Sequence, residues 1–385
     1  MEQLPTATLV EPLTIVIPAH NQAEQLRRHL PAILNQDYEE FEVVVVDIAS
    51  TDDTRPFLEA MEQRYKYLRH TSTPSSARDI SLERLALTLG IRSAQHEWVV
   101  LTQADAEPAS NQWLNRIAST IRKNPTKELL LGFARYEELT NSWFEHKIGF
   151  FRLWHTIANY DHIQAGYAAV RGDGCNMAVR KSVFLKSNCF ADTQNLSVGA
   201  CDLMANRLST RDNTAIFIDP ASVVIQDKPT YVRWHQQRVA YLAIRQYQHH
   251  VFIYRMRNYV RLVWPWLALI LIILPFIVGS ICLGLALSHS DASYLHPFAM
   301  KSYAGQAPSV AEIVIFCVFL IFILVSLIIV TRVRIKQFES SAKALGGRNY
   351  YITLFLFELM MPFWTFTARA HYLISPKNEF RKKFI

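Results

Sequence analysis

Polar side chains follow three apolar segments of the chain, each at the point where the segment ends. His20 and Asn21 follow the first segment, Asp47 ends the second, and Gln103 and Asp105 follow the third. Any one of these positions is typical of an ordinary turn or capping residue, but three together at one sheet edge indicate a ligand site. A carboxylate there could hold Mg²⁺ or Mn²⁺ against a diphosphate, because these ions prefer oxygen ligands and share them with phosphates.

The segments around these residues alternate between strand and helix patterns. Three of them are apolar without alternation, as in strands buried on both faces: LTIVIPAH, FEVVVVDIAS and EWVVLTQAD. Three others have helical spacing or capping residues: NQAEQLRRHLPAIL, STDDTRPFLEAMEQRY and SLERLALTLGIRSA. The alternation predicts the α/β class, with a mostly parallel sheet and covering helices. Ligands of such sheets bind at the carboxyl ends of the strands.

Two nucleotide-binding motifs are absent from the sequence, GxGxxG after the first strand and GxxxxGK[ST] at any position. Their absence disfavours a dinucleotide-binding fold and a P-loop nucleotidase. The net charge is +7, but no nucleic-acid-binding motif accompanies it, so we expect no nucleic-acid partner. The five cysteines show no paired metal spacing and are expected to be free thiols.

The carboxyl-terminal third of the chain is strongly apolar. Residues 262–287 and 313–330 carry no charged side chain. Each segment is long enough to cross a hydrocarbon core of about 30 Å at about 1.5 Å rise per residue. We therefore expect two membrane spans there and a third apolar segment at about 350–373 that is re-entrant, interfacial or spanning.

Basic residues near the apolar segments predict the orientation. Between the second and third segments, residues 331–350 contain five of them: Arg332, Arg334, Lys336, Lys343 and Arg348. The first loop, 288–309, contains only Lys301. By the positive-inside rule the long amino-terminal part is cytoplasmic, in a multi-pass protein of the inner (plasma) membrane. No signal peptide is evident at the amino terminus, and the spans lack the paired charges that a transporter would need.

Residues 142–160 are rich in aromatic side chains at helical spacing. Such a helix could lie on the membrane surface and guide a lipid acceptor, or it could belong to the protein core. Trp234 likewise could stack on a sugar or lie at the level of the lipid headgroups.

The ordered segments resemble the family 2 glycosyltransferases with the GT-A fold. The resemblance begins with three segments around the predicted strand ends: TIVIPAHNQAEQL, VVVVDIASTDDT and VLTQADAEPASNQWL. It continues with counterparts of the acceptor-side segment, the acidic motif and QxxRW: GDGCNMAVRKSVF, VGACDLMANRL and WHQQRVAYL. The match covers roughly residues 13–245. It implies a cytoplasmic GT-A domain at 1–250, followed by an α-helical membrane domain at 251–385.

The resemblance also implies a role for each matching position. Nucleotide-sugar binding is implied for Pro18, His20, Asn21, Asp47, Arg84, Gln103 and Asp105. The acceptor side is implied for Asp173, Asn176, Gln237 and Arg238, the last two covering the diphosphate leaving group, and the catalytic base for Asp202. Asp47 would contact the nucleobase or ribose, Arg84 the phosphates, and Asp105 a divalent cation, Mg²⁺ or Mn²⁺.

Three motifs depart from the family pattern. The DxD position has Gln103 in place of its first acid, the usual catalytic base falls on Cys201 with Asp202 one position later, and QxxRW keeps only Gln237. Our hypothesis is an inverting, membrane-bound transferase that moves a sugar from a nucleotide donor, expected to be UDP-linked, to a lipid-linked or polysaccharide acceptor. Membrane lipids and partner membrane proteins would be its neighbours. The alternative is a catalytically silent GT-A pseudoenzyme that binds a nucleotide sugar or a partner as a scaffold.

Overall fold

The structure, a computed structural model, describes residues 10–74, 80–138, 140, 142–292, 310–347, 350–351 and 353–374. The described strands are β1 (Leu13–Ala19), β2 (Phe41–Asp47), β3 (Leu68–Ser72), β4 (Trp98–Leu101), β5 (Ala106–Pro108), β6 (Leu129–Leu131), β7 (Ala134–Tyr136), β8 (Met177–Arg180), β9 (Thr214–Ile216) and β10 (Val224–Gln226). The described helices are α1 (Ala23–Leu34), α2 (Thr54–Arg64), α3 (Leu82–Ser93), α4 (Trp113–Lys123), α5 (Trp143–Gln164), α6 (Lys181–Ser187), α7 (Ala200–Leu208), α8 (Tyr231–Ile244), α9 (Phe252–Ala292), α10 (Val310–Ala344) and α11 (Thr353–Ile374).

The larger sheet has seven strands in the order β3-β2-β1-β4-β8-β6-β9. Strands β1 to β4 are parallel, whereas β8 runs antiparallel to both β4 and β6. A smaller sheet has the order β5-β10-β7. The prediction of an α/β fold with a mostly parallel sheet and covering helices is confirmed. Since β1, β2 and β4 are parallel, their carboxyl ends lie at one edge, where the predicted ligand site begins.

Close packing of α3 fixes the parallel strands from one side. A Cβ atom on Gly90 would lie 2.4 Å from Val16 Cγ1 in β1 and 3.1 Å from Val46 Cγ2 in β2. Both valines are buried, so the helix reaches this distance only because Gly90 has no side chain. The position of α3 therefore depends on one glycine.

The aromatic segment 142–160 forms most of α5. Several of its apolar side chains are buried in the protein, including Ile148, Phe150, Leu153 and Trp154. Trp143 at the start of the helix is 52% exposed. Of the two alternatives for this segment, packing within the protein accounts for the buried face.

The carboxyl-terminal apolar segments are also helical, in α9, α10 and α11. Within the described residues, none of the helices combines the length and hydropathy that a membrane span requires. The spans predicted at about 262–287 and 313–330, and the membrane domain built from them, are therefore not supported. The loop predicted at 331–350 is helical over residues 331–344, which continue α10. Lys301 and Arg348 lie outside the described residues.

The chain divides into two compact units. One comprises Met1–Arg255, Ser341–Asn349 and Phe363–Ile385, and the other comprises Met256–Ser340 and Tyr350–Pro362. The first unit contains both sheets. In the second, the guanidinium of Arg334 donates to Glu358 Oε1 at 2.8 Å and to the backbone carbonyl of Arg261 at 3.2 Å. The sequence had not predicted that two late segments belong with the first unit.

Candidate active site

Two loops at the carboxyl ends of β1 and β2 are joined by hydrogen bonds. The His20 ring donates through Nδ1 to the carbonyl oxygen of Ile48 at 2.6 Å. The backbone N–H of Asn21 donates to Ser50 Oγ at 2.9 Å, and Asn21 Oδ1 accepts from the backbone N–H of Thr51 at 2.8 Å. Both predicted residues, His20 and Asn21, thus hold the second loop against the first. Their side chains shape the edge of the sheet beside Asp47.

Asp47 lies at the end of β2 and is 3% exposed. Its Oδ1 accepts the backbone N–H of Ser50 at 3.1 Å. Ala49, between them, has a φ of 45°, in the left-handed region that non-glycine residues rarely occupy. Pro18 lies in β1 opposite Val46 and leads the chain into the neighbouring loop. The strained turn places a buried carboxylate at the sheet edge, where it can accept a further hydrogen bond.

Asp105 and Gln103 lie side by side after β4 and share one partner, Gln226 at the end of β10. Gln226 Nε2 donates to Gln103 Oε1 at 2.8 Å and to Asp105 Oδ1 at 3.1 Å. Arg233 Nη2 donates to Asp105 Oδ2 at 3.4 Å, and Arg152 Nη1 donates to Gln226 Oε1 at 2.7 Å. Gln226, Arg152 and Arg233 were not among the site residues predicted from the sequence. The apolar run VVIQ, which ends on a polar residue like the other strands, was the available signal for Gln226.

The resemblance implies a divalent cation at Asp105, and the groups around this carboxylate decide whether the protein could hold one. Both oxygens of Asp105 already accept hydrogen bonds, and Gln103 contributes a neutral amide. Among the described residues, no group of three His, Cys, Asp or Glu side chains could hold a metal ion. The cation next to Asp105 is the guanidinium of Arg233, whose side chain is 57% exposed. These residues do not fit a protein-built metal centre, and a metal at Asp105 stays a prediction.

Asp202 lies in the first turn of α7. Its Oδ1 accepts from Arg171 Nε and from the backbone N–H of Gly172, each at 3.3 Å. Burial raises the pKa of Asp202 above its usual value, and the neighbouring Arg171 opposes this shift. Asp173, two residues beyond Arg171, pairs with Arg152 Nη2 at 2.7 Å. Asp202 is thus a carboxylate on which a proton can be held near the site.

Gly174 places the first turn of α7 beside the end of β4. A Cβ atom on Gly174 would lie 2.9 Å from Cys201 Sγ and 3.2 Å from Gln103 Nε2. One on Gly172 would lie 2.8 Å from the carbonyl oxygen of Cys201. The loop therefore fits only without side chains at these two positions. It brings the predicted base region next to the predicted DxD region.

The surroundings of Cys201 favour the protonated thiol over the nucleophilic thiolate. Burial raises its pKa well above the usual value, with Glu83 and Asp202 adding to the shift. A thiolate is the reactive form of cysteine, so this environment disfavours nucleophilic chemistry.

Arg84 contacts the protein backbone, and its predicted role at the phosphates stays a prediction. Arg84 is 2% exposed, and its guanidinium donates to the carbonyl oxygen of Val198 at 2.8 Å and to that of Leu196. It also lies over the ring of Phe190, with Cζ 5.5 Å from the centroid. Because its nitrogens bind the backbone just before α7, Arg84 holds that helix in place.

Asn176 contacts three other parts of the first unit, and its predicted place on the acceptor side stays a prediction. Asn176 is fully buried and accepts from Trp113 Nε1 at 3.1 Å. Its amide nitrogen donates to the carbonyl oxygens of Phe133 and Ser222, both at 2.8 Å. These three hydrogen bonds connect Asn176 to α4 and to the segments around Phe133 and Ser222.

Gln237 and Arg238 differ in exposure although they are adjacent on α8. Gln237 is exposed, whereas Arg238 is buried with Cζ 4.4 Å from the Phe151 ring centroid and 4.9 Å from that of Trp234. Only Arg238 is therefore enclosed by other side chains of the first unit.

Comparison with known proteins agrees with this fold. Residues 14–186 match the model of the family described as Glycosyl transferase family 2. The chain contains a glycosyl transferase family 2 domain. The matched residues include every donor-side position predicted above and both glycines of the loop before β8. No curated protein matches the chain at a significant level.

The fold also matches solved structures. The mannosyltransferase PcManGT from Pyrobaculum calidifontis, solved in complex with GDP-Man and Mn²⁺, is 19% identical with a TM-score of 0.53. The match covers 95% of this chain and 88% of that one. S. aureus TarS 1-349 in complex with UDP-GlcNAc is 15% identical with a TM-score of 0.44, over 60% of this chain and 66% of its own. At these identities the first likeness confirms the GT-A-like fold, and the second is too weak to add to it.

Proposed function

We propose that the chain transfers a sugar from a nucleotide diphosphate donor to the hydroxyl of an acceptor, with inversion at the anomeric carbon. One observation carries the proposal: the buried carboxylates of Asp47 and Asp105 lie at the carboxyl edge of the parallel sheet, and one loop brings the turn with Asp202 beside them. This edge is where parallel α/β sheets bind ligands. The glycosyl transferase family 2 domain covers these strand ends.

On the donor side, Asp47 accepts a hydrogen bond from the ribose or the base. Its Oδ2 accepts from no donor among the described residues, so it is available to a ligand. The guanidinium of Arg233 faces the same edge next to Asp105. Its positive charge stabilises the diphosphate as negative charge develops on the departing nucleotide. No step of this scheme requires a metal, although a cation supplied with the donor would act in the same direction.

On the acceptor side, Asp202 acts as the general base. It takes the proton of the acceptor hydroxyl while the oxygen forms its bond to the anomeric carbon and the bond to the nucleotide diphosphate breaks. A raised pKa suits this task because a stronger base accepts the proton more readily at neutral pH. The hydrogen bond that Arg171 donates to Asp202 must then weaken, so that the acceptor hydroxyl can donate to the same carboxylate.

The proposed place of the reaction is the cytoplasmic face of a membrane, with a lipid-linked or polysaccharide acceptor. Large apolar side chains are exposed along two of the carboxyl-terminal helices, among them Leu267, Ile270, Leu274 and Ile281 of α9 and Val318, Ile321, Phe322 and Ile329 of α10. An exposed apolar surface of this kind favours contact with lipid or with another protein. The basic residues around these helices favour the cytoplasmic side.

A second candidate, the catalytically silent scaffold, is favoured by the hydrogen bonds that Asp105 and Asp202 already accept within the protein. Asp202 accepts two hydrogen bonds, and both oxygens of Asp105 are engaged. A protein of this kind would bind a nucleotide but transfer no sugar.

Calorimetric titration of the full chain with UDP and with GDP tests the donor site. We expect one nucleotide to bind and Asp47→Ala to weaken it about tenfold, which corresponds to about 1.4 kcal/mol. Asp212→Ala, at an exposed aspartate of the same domain, is the matched control. Release of nucleotide diphosphate from the matching sugar donor then separates the two candidates. Binding with no release supports the scaffold, and failure of both nucleotides to bind contradicts the proposed donor site.

A further inference from the structure

Two cations, Lys147 of α5 and Arg238 of α8, lie among aromatic rings on facing helices of the first unit. Lys147 Nζ is 4.8 Å from the ring centroid of Trp234 and 4.7 Å from that of Trp364. Arg238 Cζ is 4.9 Å from the same Trp234 ring and 4.4 Å from the Phe151 ring. Both cations therefore share one indole ring. We call these five residues the cation cage.

Neither cation of the cage is neutralised. Within the part of the chain that the structure describes, no carboxylate lies within ion-pair distance of Lys147 or Arg238, and neither donates a hydrogen bond. By contrast, Arg152 of α5 pairs with Asp173, and the cations of two neighbouring loops pair as Arg171–Asp202 and Lys228–Glu145. Aromatic faces attract cations but do not balance their charge. Two unbalanced cations next to each other are a costly arrangement unless an anion joins them.

The charge state of the two groups agrees with this arrangement. Burial lowers the pKa of Arg238 to about 10, and the phenol of Tyr231 is the group that opposes the shift. Burial also lowers the pKa of Lys147, and Arg238 lowers it further. The two positive charges therefore repel each other, and an anion close to both would relieve the repulsion and the loss of hydration.

The cage is separate from the proposed donor position. Arg233, which contacts Asp105, precedes Arg238 by five residues on α8, or about 7.5 Å along the helix axis. The same five residues turn the helix by about 140°, so the two guanidinium groups project in different directions. Trp364 and Phe151 of α5 add apolar walls to the cage. A second anion, on a ligand with an apolar portion, would suit these walls.

We propose that Lys147 and Arg238 bind the phosphate of an acceptor that carries a phosphate or diphosphate ester on an apolar chain. That this ligand is the acceptor rests on the proposed sugar transfer, whereas the binding site itself does not depend on that function. A phosphate monoester carries close to two negative charges at neutral pH and three acceptor oxygens, enough for both cations at once. The rings of Trp234, Trp364 and Phe151 flank the first carbons of the chain.

The test is binding of farnesyl phosphate to the full chain in a non-ionic detergent, with farnesol and inorganic phosphate as partial ligands. We expect farnesyl phosphate to bind at least tenfold more tightly than farnesol, and inorganic phosphate to compete with it. Lys147→Gln and Arg238→Gln should each weaken farnesyl phosphate binding about tenfold, since each removes one charge-assisted contact. Lys123→Gln and Arg122→Gln, at exposed positions of α4, are the matched controls and should leave it unchanged.

Three outcomes would overturn the proposal. Equal binding of farnesyl phosphate and farnesol would leave an apolar groove with no phosphate site. Unchanged farnesyl phosphate binding in both Gln variants would remove the two cations from the site. Loss of UDP or GDP binding in these variants, in place of the lipid phosphate, would assign the cage to the donor.

The controls keep this test separate from the donor site. Lys147→Arg and Arg238→Lys keep the charge, so they should fold and retain most of the binding even where a Gln variant does not fold. If no nucleotide binds while farnesyl phosphate binding depends on the cage, the proposed function fails and the phosphate site stands.

Discussion

Asp202 and Arg171 form the residue pair that sets the proton chemistry of the proposed reaction. Burial raises the pKa of Asp202 above 3.8, and Arg171 acts in the opposite direction. The carboxylate form is the base, so activity should fall as the pH drops through this raised pKa. Removing Arg171 should raise the pKa further and move that fall to higher pH.

We therefore expect Asp202→Asn to lower the rate of sugar transfer by about 10² to 10⁴, the usual contribution of a general base. Nucleotide affinity should not change, because the Asn side chain keeps the shape of the site. In Arg171→Gln the acidic limb of the pH–rate profile should shift to higher pH, whereas in Arg171→Lys it should stay near its position in the unmodified chain. An acidic limb at the same pH in the unmodified chain, Arg171→Gln and Arg171→Lys would assign the base to another residue.

Arg233 is the residue that decides whether the donor site needs a metal. Its guanidinium already neutralises Asp105, and the donors around it do not build a metal centre. We expect EDTA to leave nucleotide binding to the unmodified chain intact. Arg233→Gln should weaken that binding about tenfold to a hundredfold, through the loss of a charge-assisted hydrogen bond worth about 1.5–3 kcal/mol.

Arg55→Gln, at a surface ion pair of α2, is the control for a general loss of positive charge. Loss of binding in EDTA with full recovery in Mn²⁺ would show that Asp105 holds a metal after all. In that case Arg233 would be displaced when the donor binds.

At the scale of elements, the packing of α3 on the sheet offers a direct test. Gly90→Ala would place a Cβ atom 2.4 Å from Val16 Cγ1, so helix or strand must move. Overpacking of this kind costs about 1–3 kcal/mol, against a gain in helix propensity of about 1 kcal/mol. We expect a net loss of stability, measured by urea unfolding.

Val16→Ala should destabilise the chain alone, because it leaves a cavity, but it should rescue much of the Gly90→Ala defect in the double variant. A Gly90→Ala variant as stable as the unmodified chain would mean that α3 does not depend on this contact.

Elements could be predicted from the sequence where the pattern is local. The unbroken apolar runs ending at Ala19, Asp47 and Leu101 gave strands with bounds close to those observed, and helical spacing gave α1 to α3. The pattern could not separate a satisfied buried polar group from a functional one. Asn176 and Arg84 matched functional positions by type and order, yet their partners are backbone carbonyls supplied by distant loops.

At the scale of the whole molecule, contacts between residues far apart in the chain could not be predicted from the sequence. Gln226 and Arg233 meet Asp105 across more than a hundred residues of chain, through a small second sheet that local periodicity does not reveal. Sequence patterning also placed the carboxyl-terminal segments by hydropathy alone. It could not tell that Trp364 of α11 contacts Lys147 of α5.

One ion pair joins distant parts of the first unit and gives the fold a pH dependence. Lys228, after β10, donates to Glu145 Oε1 in the first turn of α5 at 2.6 Å, and Thr140 Oγ1 donates to the same oxygen at 2.8 Å. The hydrogen bond from Lys228 is the main cause that lowers the pKa of Glu145 from 4.5 to about 2, although burial opposes it. The folded pKa is therefore below the unfolded one. The stability it contributes is complete above pH 4.5 and is lost as the pH falls towards about 2.

We expect the urea midpoint of the unmodified chain to fall between neutral pH and a pH of about 3, partly through this group. Lys228→Met alone should be less stable at neutral pH, because it leaves the buried carboxylate without its cation. The double variant Glu145→Gln with Lys228→Met removes both charges, so it should lose less stability on acidification than the unmodified chain. Glu59→Gln with Arg55→Met, which removes an exposed pair of α2, is the control. Equal acid sensitivity of the Glu145 double variant and the unmodified chain would mean that other carboxylates set the acid limit of the fold.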